Sequence, residues 1–207
     1  MPPQRETATF FHSIYGEDAP GWLFIFTLPN KVTAWVKGTD LDSAVRLALA
    51  SSKAGLNVYA PVGLQREHLS KGRGTAATVG ALTGMWADID VAGPAHAKAT
   101  LPPTDTDALA LLDECPLSPT VLVHSGHGLQ AWWCFREPWV FDGDDEHEEA
   151  ATLARRWQAT LQNIAARHGW TIDAAANLDR VLRVPGTTNW KIPGAPLPVR
   201  LLRYQHE

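Results

Sequence analysis

The sequence predicts an α+β protein. From Trp86 onward it reads as strand, helix, two strands joined by a tight hairpin, helix and strand, a βαββαβ order that places a sheet on one side and two helices on the other. Three observations carry this. Short runs rich in β-branched and aromatic residues are bounded by Gly and Pro. Two longer stretches repeat apolar residues at helical spacing. The two kinds of element do not alternate one for one, which argues against a doubly wound sheet.

The elements follow in order. Trp22–Thr27 and Val32–Val36, separated by Pro29-Asn30-Lys31, form a hairpin. Thr39 or Asp40 caps a helix whose stripe is Leu41, Ala44, Val45, Ala48 and Leu49 and which Gly55 stops. Asn57–Val62 is a short strand, and Leu69–Thr75 is a glycine-spaced basic loop. Trp86–Val91 is a buried strand, and Gly93-Pro94 turns the chain toward a helix around Thr106–Glu114. Thr120–Ser125 and Leu129–Phe135 are strands joined by Gly126-His127-Gly128. A long helix begins in the acidic run, where negative charge complements the helix dipole, and ends at Gly169, with Leu153, Trp157, Leu161, Ile164 and Ala165 as its buried stripe. Val181–Val184 and Val199–Tyr204 are short strands. Residues 1–82 form a smaller αβ module and residues 83–207 the larger one, the two making one integrated domain.

With 207 residues the chain is long enough to bury a substantial core. No apolar stretch reaches the length of a membrane span and the polar start is no signal peptide, so a cytoplasmic protein is expected. Cys115 and Cys134 lie apart in apolar settings and read as buried thiols rather than a disulfide or zinc site. The net charge of −4 excludes a protein that coats nucleic acid along a whole face, but the charge is segregated. Six acids fall between Asp142 and Glu149, whereas from Leu178 to the end five Lys or Arg face two acids. That layout fits a protein that grips phosphates at one place.

Asp88 and Asp90 carry the chemistry. Side chains alternate along a strand, so both carboxylates share a face while Ala87, Ile89 and Val91 point into the core. Their Cα atoms are roughly 7 Å apart, and at an effective dielectric near 20 their charges repel by about 2 kcal/mol. A divalent cation between them reverses the sign, and hard oxygen ligands suit magnesium or manganese. Downstream, Ile172-Asp173 supplies a third carboxylate in a strand-like setting. The run Leu178–Lys191 sets Arg180, Arg183, Asn189 and Lys191 around a sharp turn. In the hairpin, Ser125, His127 and Gln130 offer hydrogen bonds to phosphate or sugar oxygens, and the glycines allow close approach.

Taken together, Ala87-Asp-Ile-Asp90, Ser125-Gly-His-Gly-Leu-Gln130, Ile172-Asp173 and Arg180-Val-Leu-Arg-Val-Pro-Gly-Thr-Thr-Asn-Trp-Lys191 resemble the archaeo-eukaryotic primase superfamily, specifically the primase-polymerase domains of phages, plasmids and integrated elements. The resemblance implies an RRM-like or ferredoxin-like catalytic core and template-directed nucleotidyl transfer on single-stranded DNA. It implies that Asp88, Asp90 and Asp173 hold two Mg2+ or Mn2+ ions, and that Ser125, His127 and Gln130 bind the triphosphate of an incoming nucleotide. Arg180, Arg183 and Lys191 then add positive charge there or on the template backbone. The family's second motif usually ends in His where this chain has Gln130, which donates to a phosphate oxygen without carrying charge. Asp179 is an alternative third ligand, disfavoured because an acid adjoining Arg180 more naturally pairs with it. Lys71, Arg73, Asn189 and Trp190 are candidate nucleotide or template contacts, Trp190 by stacking.

Two rival readings follow from the same core. A rolling-circle initiator or relaxase-like nuclease needs paired metal histidines and a nucleophilic Tyr, and no His-hydrophobe-His triplet exists. A non-catalytic replication-origin binding module needs neither. No G-x-x-x-x-G-K-S/T loop is present, so any helicase motor that works with it lies on another chain or in a missing C-terminal region.

Overall fold

A computed structural model describes residues 1–204. Helix α1 (Pro3–Tyr15) opens with proline at its first turn, where no intrahelical N–H is needed. Its apolar residues Phe10, Phe11, Ile14 and Tyr15 are all buried, and Phe10 meets Trp132 edge-on at 5.3 Å. Little in the local sequence marks this element: its first turn is Pro-Gln-Arg-Glu, and the buried apolar positions cluster near its end. Two polar ties fix it. Buried Glu6 pairs with Arg200 Nε at 2.9 Å, and Thr7 Oγ1 donates to Pro185 O at 2.8 Å.

β1 (Trp22–Leu28) and β2 (Val32–Lys37) form the expected hairpin. α2 (Leu41–Lys53) is capped by Asp40, which accepts from Ser43 N–H at 3.1 Å. β3 (Asn57–Pro61) and a very short β4 (Gly63–Gln65) follow, and then β5 (Val79–Asp90). α3 (Asp105–Asp113) begins with a reciprocal Thr104/Asp107 capping box. β6 (Val121–His124) and β7 (Gly128–Val140) are joined by the glycine turn. α4 (Asp144–Arg167) is the long helix. β8 (Val181–Arg183), the small β9 (Thr188–Asn189) and β10 (Leu197–Pro198) pair, and β11 (Arg200–Tyr204) complete the chain.

The α+β class and the βαββαβ order are as expected. What the sheet adds is its connectivity: β11-β6-β7-β5-β4-β1-β3-β8, with β2 on the free side of β1. The strand after α4 does not return to the edge of β5. That edge is taken by β4, and β8 pairs instead with β3. One nine-stranded sheet therefore runs through both stretches of chain, and residue 82/83 falls inside β5. Adjacent Trp132 and Trp133 point to opposite faces, the first against Phe10 of α1 and the second against Trp157 of α4 at 4.6 Å.

The buried stripe of α4 differs from the expected one. Ala150, Ala154, Gln158, Leu161, Ile164 and Ala165 face the sheet, whereas Leu153 is exposed. Gln158 displaces an apolar choice because its Nε2 donates to Trp86 O at 2.7 Å. Both cysteines are free and half-buried, and burial pushes each thiol up to about 11. Among the described residues no helix is long and apolar enough to cross a membrane.

Candidate active site

The long β5–β7 ladder sets Asp88 opposite Gln130 and Asp90 opposite Gly128. Gly128 is required by that register, since a Cβ there would lie 2.2 Å from Ile89 O. Alternation does what the sequence predicts: Ala87 and Ile89 are buried, while Asp88 and Asp90 are partly open on the other face.

Asp88 is held on both oxygens. Oδ1 accepts from Gln130 Nε2 at 3.0 Å and Oδ2 from Arg180 Nη2 at 2.6 Å. Gln130 is itself buried and its Oε1 accepts the Arg183 backbone N–H at 2.9 Å. The amide thus spends both ends within the protein. It ties β7 to the Arg180–Arg183 segment and aims Asp88. A histidine, with one donor and one acceptor on a rigid ring, reaches two such partners only in a different geometry.

Asp90 Oδ2 lies 3.1 Å from His96 Nδ1, and Lys191 Nζ lies 2.9 Å from His96 Nε2. The ammonium has no acceptor, so Nε2 must accept, which leaves the ring proton on Nδ1 facing Asp90. Burial and then Lys191 hold the His96 pKa below its usual value, consistent with a neutral ring. The Asp90 carboxyl is pushed up to about 6, first by burial and then by the charge of Asp88, with Lys191 partly opposing. Two like charges on one face are thus incompletely compensated.

The β6–β7 turn is locked from below. Ser125 Oγ donates to Gly128 O at 3.1 Å, and Asn189 Nδ2 donates to Ser125 O at 2.7 Å. Gly126 adopts φ +97°, a left-handed conformation, and Asn189 packs where a Cβ would point. Asn189 Oδ1 also accepts the Lys191 N–H at 2.9 Å, so this one amide sets both the turn and the lysine. His127 Nε2 is buried without a hydrogen-bond partner, and burial, then Lys191, lowers its pKa. His124 points away, to Asp105 of α3 at 3.1 Å.

Arg183 is buried, with its guanidinium 4.9 Å from the Tyr59 ring centroid and Nη1 donating to Asn57 Oδ1 at 2.8 Å. Asn57 Oδ1 also accepts the Trp190 N–H at 2.9 Å, which leaves the Trp190 ring exposed. Arg73 reaches back from its loop, donating to Asp179 O at 2.6 Å and pairing with that carboxylate at 3.8 Å. The partner of Asp179 is therefore Arg73, not its neighbour Arg180. Lys71 is exposed at the loop.

Asp173 lies in irregular backbone rather than a strand. Its exposed carboxylate pairs with Lys98 Nζ at 3.0 Å. Its charge still contributes to raising the Asp90 pKa. Among the described residues no three His, Cys, Asp or Glu side chains gather as a ready ligand set. In donor type and in their incompletely compensated repulsion, Asp88 and Asp90 fit a divalent cation. His96, Lys98 and Asn57 escaped the sequence reading. His96 stands beside Gly93-Pro94, a pair that signals only a turn, and nothing in its spacing announces that it returns to Asp90.

The fold is the one that solved primase structures share. The chain has the primase-polymerase fold, similar to that of archaeo-eukaryotic primases. It is similar to the archaeo-eukaryotic primase domain of the cyanophage S-2L primase-polymerase, with TM-score 0.59 and 16% identity over 98% of this chain and 91% of that one. Primase RepB' matches with TM-score 0.55 and 13% identity, covering 98% of this chain and 56% of that one. The catalytic domain of primase RepB' in complex with initiator DNA matches with TM-score 0.51 and 14% identity over 96% and 85%. No family model and no curated protein sequence matches the chain.

Proposed function

We propose that this chain is the catalytic domain of a DNA primase-polymerase, making and extending primers on single-stranded DNA from nucleoside triphosphates. The observation that carries the reading is the convergence, on a fold shared with primase catalytic domains, of a repelling Asp88/Asp90 pair with Arg180, Lys191 and two lowered-pKa histidines at one end of the sheet.

Asp88 and Asp90 would hold Mg2+ or Mn2+, with Asp173 joining them by leaving Lys98. Two such ions supply activation of a primer 3′-oxygen and charge neutralisation on departing pyrophosphate. The protein's own side chains do the rest. Gln130 and His96 orient the carboxylates. Arg180 and Lys191 are the mobile cations for the triphosphate, and each exchanges a side-chain partner for a phosphate oxygen. His127, its Nε2 without a partner, is the neutral donor beside them. Ser125 and Asn189 shape the turn. Arg183, committed to Tyr59 and Asn57, braces the floor of the site. Lys71, Arg73 and Trp190 border it on the template side.

The nuclease reading gains no nucleophile from Tyr15, which is buried with its hydroxyl donating to Pro61 O and its pKa raised by burial. Tyr59 lies under Arg183. Incubation with a single-stranded template, manganese and labelled nucleotides tests the proposal. Labelled polymer from the wild type and none from Asp88→Ala or Asp90→Ala is expected. Synthesis retained by both variants overturns it.

A further inference from the structure

One face of the β1–β2 hairpin carries a cluster that shares only Arg73 and Arg183 with the nucleotide site. On one face of the ladder Trp22 stands opposite Lys37 and Phe24 opposite Trp35. Phe26 stands opposite Tyr59, and Tyr59 opposite Arg183, so one row of aromatic rings crosses β2, β1 and β3 and ends at Arg183 of β8. Phe24 is fully buried beside Trp35, so the row is open at Trp22, Trp35 and Phe26; the alternate residues Leu23 and Ile25 are also fully buried and supply the core contacts of β1.

Cations and an imidazole accompany this row. The exposed His68 ring sits between two indoles, with centroids 5.2 Å from Trp22 and 5.4 Å from Trp35. Lys37 Nζ lies 5.8 Å from the Trp22 ring, and Arg73 lies 5.5 Å from that of Phe26. Arg183 covers Tyr59 at 4.9 Å, next to Asp88 and Asp90. Beside Trp35 a groove of about 580 Å³ is bordered by Lys37 and Arg46. Its acid, Asp40, is turned into the start of α2, accepting from Ser43 N–H and Oγ. Half-buried indoles flanked by cations are what a nucleic-acid strand needs: faces for bases and charge for phosphates.

We propose that this row is a stacking track for single-stranded DNA, with Trp22, Trp35 and His68 receiving bases and Lys37 and Arg46 meeting phosphates. From Arg183 to Trp22 the track crosses two strand spacings and four residues, roughly 17 Å, or about five nucleotides at stacked spacing. The proposal rests on the primase-polymerase reading for the strand's identity as template.

Fluorescence anisotropy with a labelled single-stranded 20-mer, and with the same length of abasic backbone, tests it in the full chain without metal. Trp35→Leu should weaken binding of the 20-mer at least five-fold and leave the abasic strand unchanged. The exposed pair Lys37→Glu/Arg46→Glu should weaken both strands and lower the salt slope by about 1.4. This pair, checked for an unchanged melting temperature, carries the test where Trp35→Leu fails to fold. Wild-type affinity in the charge pair, or equal wild-type affinity for the two strands, overturns the proposal. Self-association of the charge pair with unchanged DNA affinity also overturns it, since Lys37 then only guards an edge strand. If the wild type binds DNA through these residues but makes no polymer, the primase reading falls and the track stands. Polymer made with unchanged DNA affinity in the variants sinks the track alone.

Discussion

Replacing Asp90 with asparagine should stabilise the metal-free protein while abolishing synthesis. The carboxyl is raised to about 6, mainly by burial and then by Asp88, against an ordinary value of 3.8. Between these two values the folded state holds a proton that the unfolded state has lost, so stability falls as pH rises through that window. Full conversion of the shift gives about 3 kcal/mol. The side chain is 33% exposed, and solvent screening reduces this to about 1–2 kcal/mol. The substituted amide would still accept the His96 Nδ1–H through its oxygen, so little is lost in return. Asp90→Asn should therefore raise the melting temperature by about 2–8 °C near pH 7.5 in EDTA. The gain should shrink to about a third near pH 4.5, where the native carboxyl is already protonated and the unfolded one is beginning to be. Thermal melts by circular dichroism at both pH values measure it. Adding manganese should raise the melting temperature of the wild type and not of the variant. A variant no more stable than wild type at neutral pH, or a gain independent of pH, refutes the electrostatic account of the pair.

Three further outcomes follow. Gly128→Ala forces a methyl to 2.2 Å from Ile89 O, so it should cost about 3 kcal/mol and abolish synthesis, seen in denaturant titration and primer assays. Gln130→Leu removes the donor to Asp88 and strands the buried Arg183 N–H, for about 2–3 kcal/mol by urea unfolding. Arg180→Met unpairs Asp88, which should lower metal-free stability by about 1 kcal/mol. Manganese should restore that loss in the melt, whereas the nucleotide KM should rise about ten-fold with the loss of one phosphate contact.

Much of the fold was legible because its signals are local. Period-two alternation placed Asp88 and Asp90 on one face, a Gly-His-Gly turn marked the hairpin, and Thr39-Asp40 marked a helix start. α1 was not legible, since its start is polar and its four apolar residues make sense only beside the Trp132 face they cover. Leu153 was misplaced because the α4 stripe rotates to admit Gln158, whose partner, the Trp86 carbonyl, lies 72 residues away.

The sequence by itself determined which side chains are the candidates for the chemistry: two carboxylates one residue apart, a glycine-flanked hairpin and a basic turn near the C-terminal end. Only the tertiary structure decided how those groups are engaged. Gln130 became a strut, Arg180 took Asp88 as its partner rather than the adjacent Asp179, and His96 entered the site from a loop. Covalent spacing dictates which face of a strand a residue occupies. Hydrogen-bond partners and electrostatic fields come from segments far apart in the chain, 92 residues in the case of Arg180 and Asp88, and packing alone brings these together.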